Sequence, residues 1–457
     1  MIGKINQHLR AGRLSPVELT RAYLKRIEQI NPQLNAFRLV TADLALAQAK
    51  AAEAAIQRGE YRGPLHGIPV AVKDLFDISG LPTTAGAKCF AGRIPKQDAV
   101  VIERLRQAGA ILIGKHHLHE IALGVTNENQ HYGDCRNPWD LARSPGGSSG
   151  GSAAALAAGL CLGALGTDTG GSIRIPSALC GTVGLKPTFG RVSRRGLLPL
   201  SASLDHAGPM GRRVADVALL LNAIAGYDPR DPYSADQPVP DFHAGLDGGI
   251  QGWRIALAGG TYFERAELEI SAAIQAAGDV FETLGGRVEL LDLPMARQAG
   301  RINGLITTTE AAALYAEKLT QDPDIFGADV LQRLQAGAAT PKDAYIQARQ
   351  NQVELRRQFA NIFQDYDLLI TPTTAITAPR RGSADAVTRA KELLRYTSIF
   401  NLTGLPALSL PCGFTEQGLP IGLQIVAPHW AEARLLRAAH AYEQATSWHQ
   451  ISANLPD

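Results

Sequence analysis

The feature that most constrains this chain is a glycine- and serine-rich segment, residues 144–177, that contains an apolar stretch. Glycine- and serine-rich sequence on its own is typical of a flexible linker. Residues 153–165, however, are dominated by alanine and leucine, which such a linker lacks. We therefore predict that the segment packs in a core. Its serines would then lie close to other backbone, because the glycines between them have no Cβ to obstruct the approach.

Strand and helix patterns alternate around this segment. A β-branched apolar run over residues 67–74 predicts a buried strand that delivers Lys73 at its end, and Ser15 followed by Pro16 predicts a capped helix start. Further apolar spacing predicts helices over 42–55, 100–108, 214–225 and 268–284, and strands over 110–114, 253–257, 368–371 and 408–410. This alternation predicts an α/β fold around a largely parallel or mixed sheet.

Composition excludes several classes of protein. The 457 residues are 45% hydrophobic, enough for one large domain or two to three ordinary ones. Lys and Arg number 45 against 43 Asp and Glu, without a basic stripe, so we expect no direct nucleic-acid binding. The longest apolar region, 153–165, is too short to span a bilayer, so we expect no membrane association. No signal peptide is evident, and five scattered cysteines without a C-x-x-C pair predict a reducing cytoplasm.

Three polar segments, residues 72–74, 146–152 and 168–176, predict a serine-based active site. A serine such as Ser172 is a weak nucleophile and needs a base. Lys73 can be that base, because burial at the end of an apolar strand disfavours its charged form. The run Thr169, Gly170, Gly171 and Ser172 offers successive backbone N–H groups that can converge on a developing oxyanion.

Other interpretations of these motifs compete with catalysis. Gly146-x-Ser148-x-Gly150 also fits the nucleophile elbow of α/β-hydrolases, but the preceding residues 137–145 look like a loop instead of the required strand. His116, His117, His119 and Glu120 resemble a metal cluster, yet they lack the H-E-x-x-H spacing, and we expect packed or solvated histidines and no metal. No phosphate-binding G-x-x-x-x-G-K-[ST] is present. Lys73 alone could be a structural ion-pair partner.

The motifs resemble the amidase signature family of serine amidohydrolases. The similarity runs from Gly147 to Ser177 and continues at residues 114–124, 184–193, 204–209, 401–407 and 418–424. The resemblance implies that Ser172 is the acylated nucleophile, that Ser148 is a bridging serine after a cis peptide bond, and that Lys73 is the base. It also implies an oxyanion hole from the N–H groups of Thr169 to Ser172. Supporting roles fall to Ser149, Asp168 and Arg174, the last two as hydrogen-bonding residues around the loop.

The resemblance also implies an architecture: an amidase signature fold with a large mixed β-sheet flanked by α-helices on both faces. We expect a single domain over residues 1–457, with a signature core at about 60–225 and a C-terminal part at about 250–457 that completes the same sheet. No cofactor is expected. A homodimer or a small accessory subunit is possible. Substrate contacts are expected near residues 127–132, 306–315 and 371–381.

Three functions fit these residues. The leading hypothesis is a free-standing amidase that hydrolyses a small carboxamide or ureide. The alternative is the glutamine-hydrolysing subunit of a tRNA-dependent amidotransferase, which shares the scaffold but carries an aspartate where this chain has Leu394, and a longer Gly/Tyr-rich segment near residues 337–345. The third is a catalytically degenerate scaffold, against which the joint presence of Lys73, Ser148 and Ser172 argues.

Overall fold

A computed structural model describes residues 1–260, 262–382, 386–453 and 455 of the chain. The predicted single domain also includes residues 261, 383–385, 454, 456 and 457, which lie outside this part, and the domain assignment itself stays a prediction. Fifteen α-helices lie in the described residues: α1 Ile2–Arg10, α2 Pro16–Leu34, α3 Ala42–Gln57, α4 Val100–Gln107, α5 Gly150–Ala157, α6 Arg174–Cys180, α7 Val214–Ile224, α8 Leu268–Thr283, α9 Ala299–Leu314, α10 Ala316–Gln321, α11 Ala328–Ala338, α12 Lys342–Asp365, α13 Ala386–Leu394, α14 Ser398–Thr403 and α15 Glu432–Ala445.

One mixed sheet of eleven strands forms the centre of the described chain. The strands are β1 Phe37–Val40, β2 Pro69–Lys73, β3 Ile111–His116, β4 Gly163–Asp168, β5 Val183–Lys186, β6 His206–Gly211, β7 Arg254–Gly259, β8 Arg287–Asp292, β9 Leu368–Pro372, β10 Ala407–Phe414 and β11 Pro420–Val426. Their order is β1-β3-β2-β4-β6-β5-β10-β11-β9-β7-β8. Strand β2 runs parallel to β3 and β4, and β7 runs parallel to β8 and β9, while the other pairs are antiparallel.

Helices cover both faces of this sheet, as the sequence predicts. Successive side chains of a strand point to opposite faces, and in β2 Val70 and Val72 join one apolar cluster while Ala71 joins another. The cluster around Ala71 includes residues of α2, α3 and α5, and the other includes residues of α4 and α7. The strands are therefore buried on both faces, which explains why β2 is a continuous apolar run.

The predicted elements agree closely with the structure near the site. Ser15 accepts hydrogen bonds from the backbone N–H groups of Val17 and Glu18 and so caps α2. The apolar stretch predicted to be packed becomes α5 and β4, and every residue of these two elements is buried. Because β2 and β4 are parallel neighbours, their carboxyl ends, at Lys73 and Asp168, meet at one edge of the sheet.

None of the described helices combines the length and the apolar character that crossing a bilayer requires.

Candidate active site

Lys73 lies fully buried at the carboxyl end of β2 and contacts three hydroxyl groups. Its Nζ lies 2.7 Å from Ser148 Oγ, 3.0 Å from Ser149 Oγ and 2.8 Å from Thr167 Oγ1. Burial lowers the pKa of Lys73 from its usual 10.5 to about 7, and the charges of Asp168 and Asp205 oppose that shift. A substantial fraction of Lys73 is therefore neutral near pH 7, as a base must be.

The two serine loops are joined to each other directly. The peptide bond between Gly147 and Ser148 is cis. The next residue, Ser149, donates its backbone N–H to the carbonyl oxygen of Ser172 at 3.1 Å. Gly147 packs closely here, because a Cβ on it would lie 3.1 Å from the backbone nitrogen of Asn127. The backbone hydrogen bond between Ser149 and Ser172 holds the two loops side by side.

The four residues Thr169 to Ser172 form a loop whose carbonyl oxygens all accept hydrogen bonds. Asn303 Nδ2 donates to the carbonyl oxygen of Thr169 at 3.1 Å, and Thr397 Oγ1 donates to that of Gly170 at 2.6 Å. The backbone N–H of Ile175 donates to the carbonyl oxygen of Gly171 at 2.7 Å, and that of Ser149 donates to the carbonyl oxygen of Ser172 at 3.1 Å. Within the described chain no acceptor contacts the N–H groups of these four residues. The loop is thus held by its carbonyls, and its N–H groups stay available for an anionic oxygen.

Asp168 and Arg174 form a buried ion pair under this loop. Arg174 donates Nε and Nη2 to the two carboxylate oxygens of Asp168, at 3.0 and 2.9 Å, and both side chains are fully buried. Burial alone would raise the pKa of Asp168, but the charge and hydrogen bonds of Arg174 hold it well below its usual value. Asn401 Nδ2 also donates to this carboxylate, at 2.8 Å. The pair lies directly beside the loop, and its supporting role stays a prediction.

A cavity of about 220 Å³ opens beside Ser172. Ser172 is one of its lining residues, and its hydroxyl makes no hydrogen bond within the described residues. The walls are mostly apolar and come from six parts of the chain: residues 122–125, the loop at Thr169, Gly170 and Ser172, Leu200, α9, α11 and α13. The cavity therefore places space for a small amide beside the predicted nucleophile.

The structure brings most of the predicted site residues together, but one predicted hydrogen bond is not formed. Lys73, Ser148 and Ser149 are in direct contact, and Ser172 lies in the adjoining loop. A hydrogen bond between the hydroxyls of Ser148 and Ser172 is absent from the described contacts. Catalytic hydrogen bonds often form fully only when substrate binds, so the roles of these residues stay predictions.

Sequence reasoning missed several residues of the site. Thr167, the third partner of Lys73, follows the apolar run of β4, and its side chain faces Lys73 because alternate residues of a strand share a face. Of the three ranges expected to contact substrate, 306–315 contributes Thr307 and Thr308 to the cavity, while 127–132 and 371–381 contribute none of its lining residues. Helices α11 and α13, which no local motif signals, provide further lining residues of the cavity.

The histidines at the end of β3 and just after it contact separate partners. His116 Nδ1 lies 3.1 Å from Ser152 Oγ, and His119 Nε2 lies 3.0 Å from Asp329. Glu120 contacts His131 Nε2 at 3.0 Å and accepts from the N–H of Gly327 at 2.9 Å. No three His, Cys, Asp or Glu side chains in the described residues are arranged to hold a metal ion.

A mixed sheet that carries a buried lysine against paired serine loops is the architecture of a serine hydrolase that cleaves carbon–nitrogen bonds outside peptides. The chain belongs to the Amidase family, whose model matches residues 18–436. It is 44% identical to the A subunit of the glutamyl-tRNA(Gln) amidotransferase of Chloroflexus aggregans, over 96% of this chain and 95% of that protein.

Solved structures give the same fold. One of them belongs to a vestigial protein complex that reveals the evolutionary origins of an s-triazine catabolic enzyme. It superposes with a TM-score of 0.92 at 36% identity, and the match covers 96% of this chain and 97% of that one. The A subunit of the glutamyl-tRNA(Gln) amidotransferase of Thermotoga maritima superposes with a TM-score of 0.80 at 32% identity, covering 94% of this chain and 91% of that one. These matches confirm the predicted fold and family.

The leading expectation of a free-standing amidase for a small carboxamide or ureide is wrong. Further relatives at 41–42% identity over 95–99% of the chain carry the same amidotransferase name, and they favour the alternative function. The expectation relied on one residue, Leu394, and on one short segment. Leu394, where the amidotransferase subunit carries an aspartate, forms part of one cavity wall. This difference is local, whereas the similarity to the amidotransferase subunits extends over nearly the whole chain.

Proposed function

We propose that this chain is the glutamine-hydrolysing subunit of an amidotransferase made of several subunits. The observation that carries the proposal is the full-length similarity to the A subunits of such amidotransferases. It is supported by the contact of the buried Lys73 with Ser148 and by the position of Ser172 at the wall of a cavity. Glutamine presents a primary carboxamide on a short chain, which suits a cavity of about 220 Å³. The relatives' name further supports a role in which the released ammonia amidates glutamyl-tRNA(Gln) in the assembled complex.

The proposed chemistry begins with proton transfer through two hydroxyls. Neutral Lys73 accepts the proton of Ser148 while Ser148 accepts the proton of Ser172, and Ser172 Oγ forms a bond to the carboxamide carbon. The carbonyl oxygen becomes an oxyanion that the N–H groups of residues 169–172 stabilise. As the carbon–nitrogen bond breaks, the same relay returns the proton to nitrogen, and ammonia leaves.

Water completes the cycle by the reverse path. It attacks the acyl-serine carbon and loses a proton through Ser148 to Lys73, and Ser172 leaves with that proton as glutamate is released. We propose that the ammonia passes to a partner protein of the complex, since we expect this chain, with a net charge of +2 and no basic stripe, not to bind nucleic acid directly. Homodimerisation and a cytoplasmic location stay predictions.

The test is glutamine-dependent release of ammonia by the full chain, alone and assembled with its amidotransferase partners. We expect activity that requires assembly and disappears in Ser172→Ala. Ser271→Ala, on α8 and outside the cavity, is the matched control and should keep full activity. Absence of glutamine-dependent ammonia from the assembled complex would refute the proposal.

A further inference from the structure

A second cavity, of about 210 Å³, lies at the other end of β2 from Lys73. It is bounded by α3, by α4 and by the residues that lead into β2 and β3, which run parallel to each other. The polar side chains that line it are Gln48, Arg62, His66 and Arg106, and no carboxylate is among its described lining residues. Nothing in the catalytic chemistry uses this cavity.

His66 presents a hydrogen-bond donor to this second cavity. Its Nδ1 accepts the backbone N–H of Arg62 at 3.2 Å. Burial lowers the pKa of the His66 imidazole, and the charge of Arg62 lowers it further, so the ring is neutral at pH 7. A neutral ring that accepts at Nδ1 carries its single hydrogen on Nε2. His66 is only 1% exposed, yet Nε2 has no hydrogen-bond partner within the described residues.

Gln48 is oriented in the same way. Its Oε1 accepts the backbone N–H of Leu112 at 2.8 Å, which fixes the amide with its oxygen toward β3. No described residue accepts a hydrogen bond from its Nε2. An amide side chain has one acceptor atom and one donor atom, and here the acceptor is occupied. In Gln48 and His66 alike, a backbone N–H therefore takes the acceptor and leaves the donor for the cavity.

The two arginines add positive charge that is only partly neutralised. Arg106 donates its Nε to Asp98 Oδ2 at 2.8 Å, and its two Nη groups contact no acceptor in the described chain. The side chain of Arg62 is exposed and forms no hydrogen bond or ion pair with a described residue. Glu60 lies near Arg62, but it accepts both of its hydrogen bonds from Arg58. A cleft lined by one sign of charge attracts ions of the opposite sign.

The arrangement of these donors favours a phosphate group over a carboxylate. A carboxylate is planar, and a single guanidinium fork can satisfy it. A phosphate group presents at least three strongly accepting oxygens that point in different directions. The donors of this cavity come from α3, from α4 and from the loop before β2, so they surround a ligand from separate elements. Ala51 and Ala52 supply hydrocarbon to one wall, beside which an organic group can pack.

We propose that this second cavity binds a phosphate group, held by the two guanidinium groups, the imidazole N–H and the amide N–H that line it. The ligand is either inorganic phosphate or a small phosphomonoester. The proposal is independent of the proposed function, since it involves none of the residues that line the cavity beside Ser172.

Calorimetry of the full chain with inorganic phosphate, phenyl phosphate and acetate, at one ionic strength, tests the proposal. We expect saturable binding of phosphate at one site and much weaker binding of acetate. Tighter binding of phenyl phosphate than of phosphate would assign a phosphomonoester, and the reverse order would assign free phosphate. Arg106→Gln should weaken phosphate binding roughly 10- to 100-fold, the loss typical of hydrogen bonds to a charged group.

Gln48→Glu keeps the test decisive. Glutamate retains the oxygen that accepts from Leu112, so the variant should fold normally, but it replaces the amide donor with a negative charge. We expect it to abolish phosphate binding while the denaturant midpoint of unfolding stays at or above that of the wild type. Arg357→Gln, exposed on α12 and paired with Glu354, is the control and should leave phosphate affinity unchanged.

Three results would each overturn the proposal. The first is the absence of saturable phosphate binding by the wild-type chain. The second is equal affinity for acetate and phosphate. The third is wild-type phosphate affinity in both Arg106→Gln and Gln48→Glu, which would place any bound phosphate elsewhere on the protein.

Discussion

At the scale of single residues, the directions of the hydrogen bonds around Lys73 decide where its lone pair can point. Ser149 Oγ lies 3.1 Å from the carbonyl oxygen of Thr167, to which it donates its only hydrogen, so it can only accept from Lys73. A neutral amine has two N–H donors and one lone pair. If Thr167 Oγ1 accepts the second N–H, the lone pair is left for Ser148. Thr167 is therefore a positioning residue for the base.

Replacing Thr167 tests this argument. Thr167→Val removes an acceptor of Lys73 at nearly constant volume, so kcat/KM above pH 8 should fall roughly 10- to 100-fold, a loss within the range for misplaced general-base catalysis. The charged form of Lys73 also loses an acceptor, so its pKa should fall further and the acidic limb of the pH profile should move to lower pH. Thr167→Ser should behave like wild type. A pH profile unchanged in Thr167→Val would contradict the assignment.

At the scale of elements, the oxyanion loop depends on one glycine. Gly171 has φ of 147°, and a Cβ on it would lie 2.3 Å from Thr397 Oγ1 and 2.6 Å from Ile175 Cδ1. We expect Gly171→Ala to displace the loop and lower kcat at least about 100-fold, the effect of losing one oxyanion donor. Gly3→Ala, in α1 with open space at the added Cβ, is the control and should leave kcat unchanged. Wild-type kcat in Gly171→Ala would show that the loop does not need this geometry.

The sequence predicts the elements that carry the reactive groups much better than those that enclose them. Strand β2 follows from its apolar run because it forms over a few consecutive residues, and the apolar stretch 153–165 predicts a packed core where α5 and β4 lie. Strand β6 does not follow from such a pattern, since its six residues include two glycines and a proline, which strands rarely contain. It forms because β4 and β5 pair with it on either side and bury it.

At the scale of the whole molecule, one buried side chain connects distant parts of the sequence. Arg174 donates to Asp168 near its own helix, to Asn401 Oδ1 in α14 at 2.7 Å and to Gln424 Oε1 in β11 at 2.7 Å. The sequence analysis expects Asp168 and Arg174 to form hydrogen bonds around the loop and does not specify their partners. Asn401 and Gln424 lie more than two hundred residues further along, and only the packing of the sheet brings them to Arg174.

This network predicts a large effect on stability. Arg174→Met leaves the Asp168 carboxylate buried and without its charge partner, so the free energy of unfolding should fall by about 3–5 kcal/mol. Arg254→Met breaks an exposed pair with Glu289, which solvent screens, and should lower the free energy of unfolding far less. Denaturant unfolding of both variants provides the measurement. If the two variants lost equal free energy of unfolding, the buried network around Arg174 would not stabilise the fold more than an exposed ion pair does.

The central claim is that Ser172 reacts because Lys73 loses its charge inside the protein. The direct measurement is the rate at which a fluorophosphonate modifies the full chain between pH 5 and 9, with the modified residue located by peptide mass spectrometry. The account predicts a single adduct on Ser172, a rate that rises roughly tenfold per pH unit and levels off above a pKa of about 7, and loss of labelling in Lys73→Ala. An adduct on another residue, or labelling in Lys73→Ala at the wild-type rate, would contradict it.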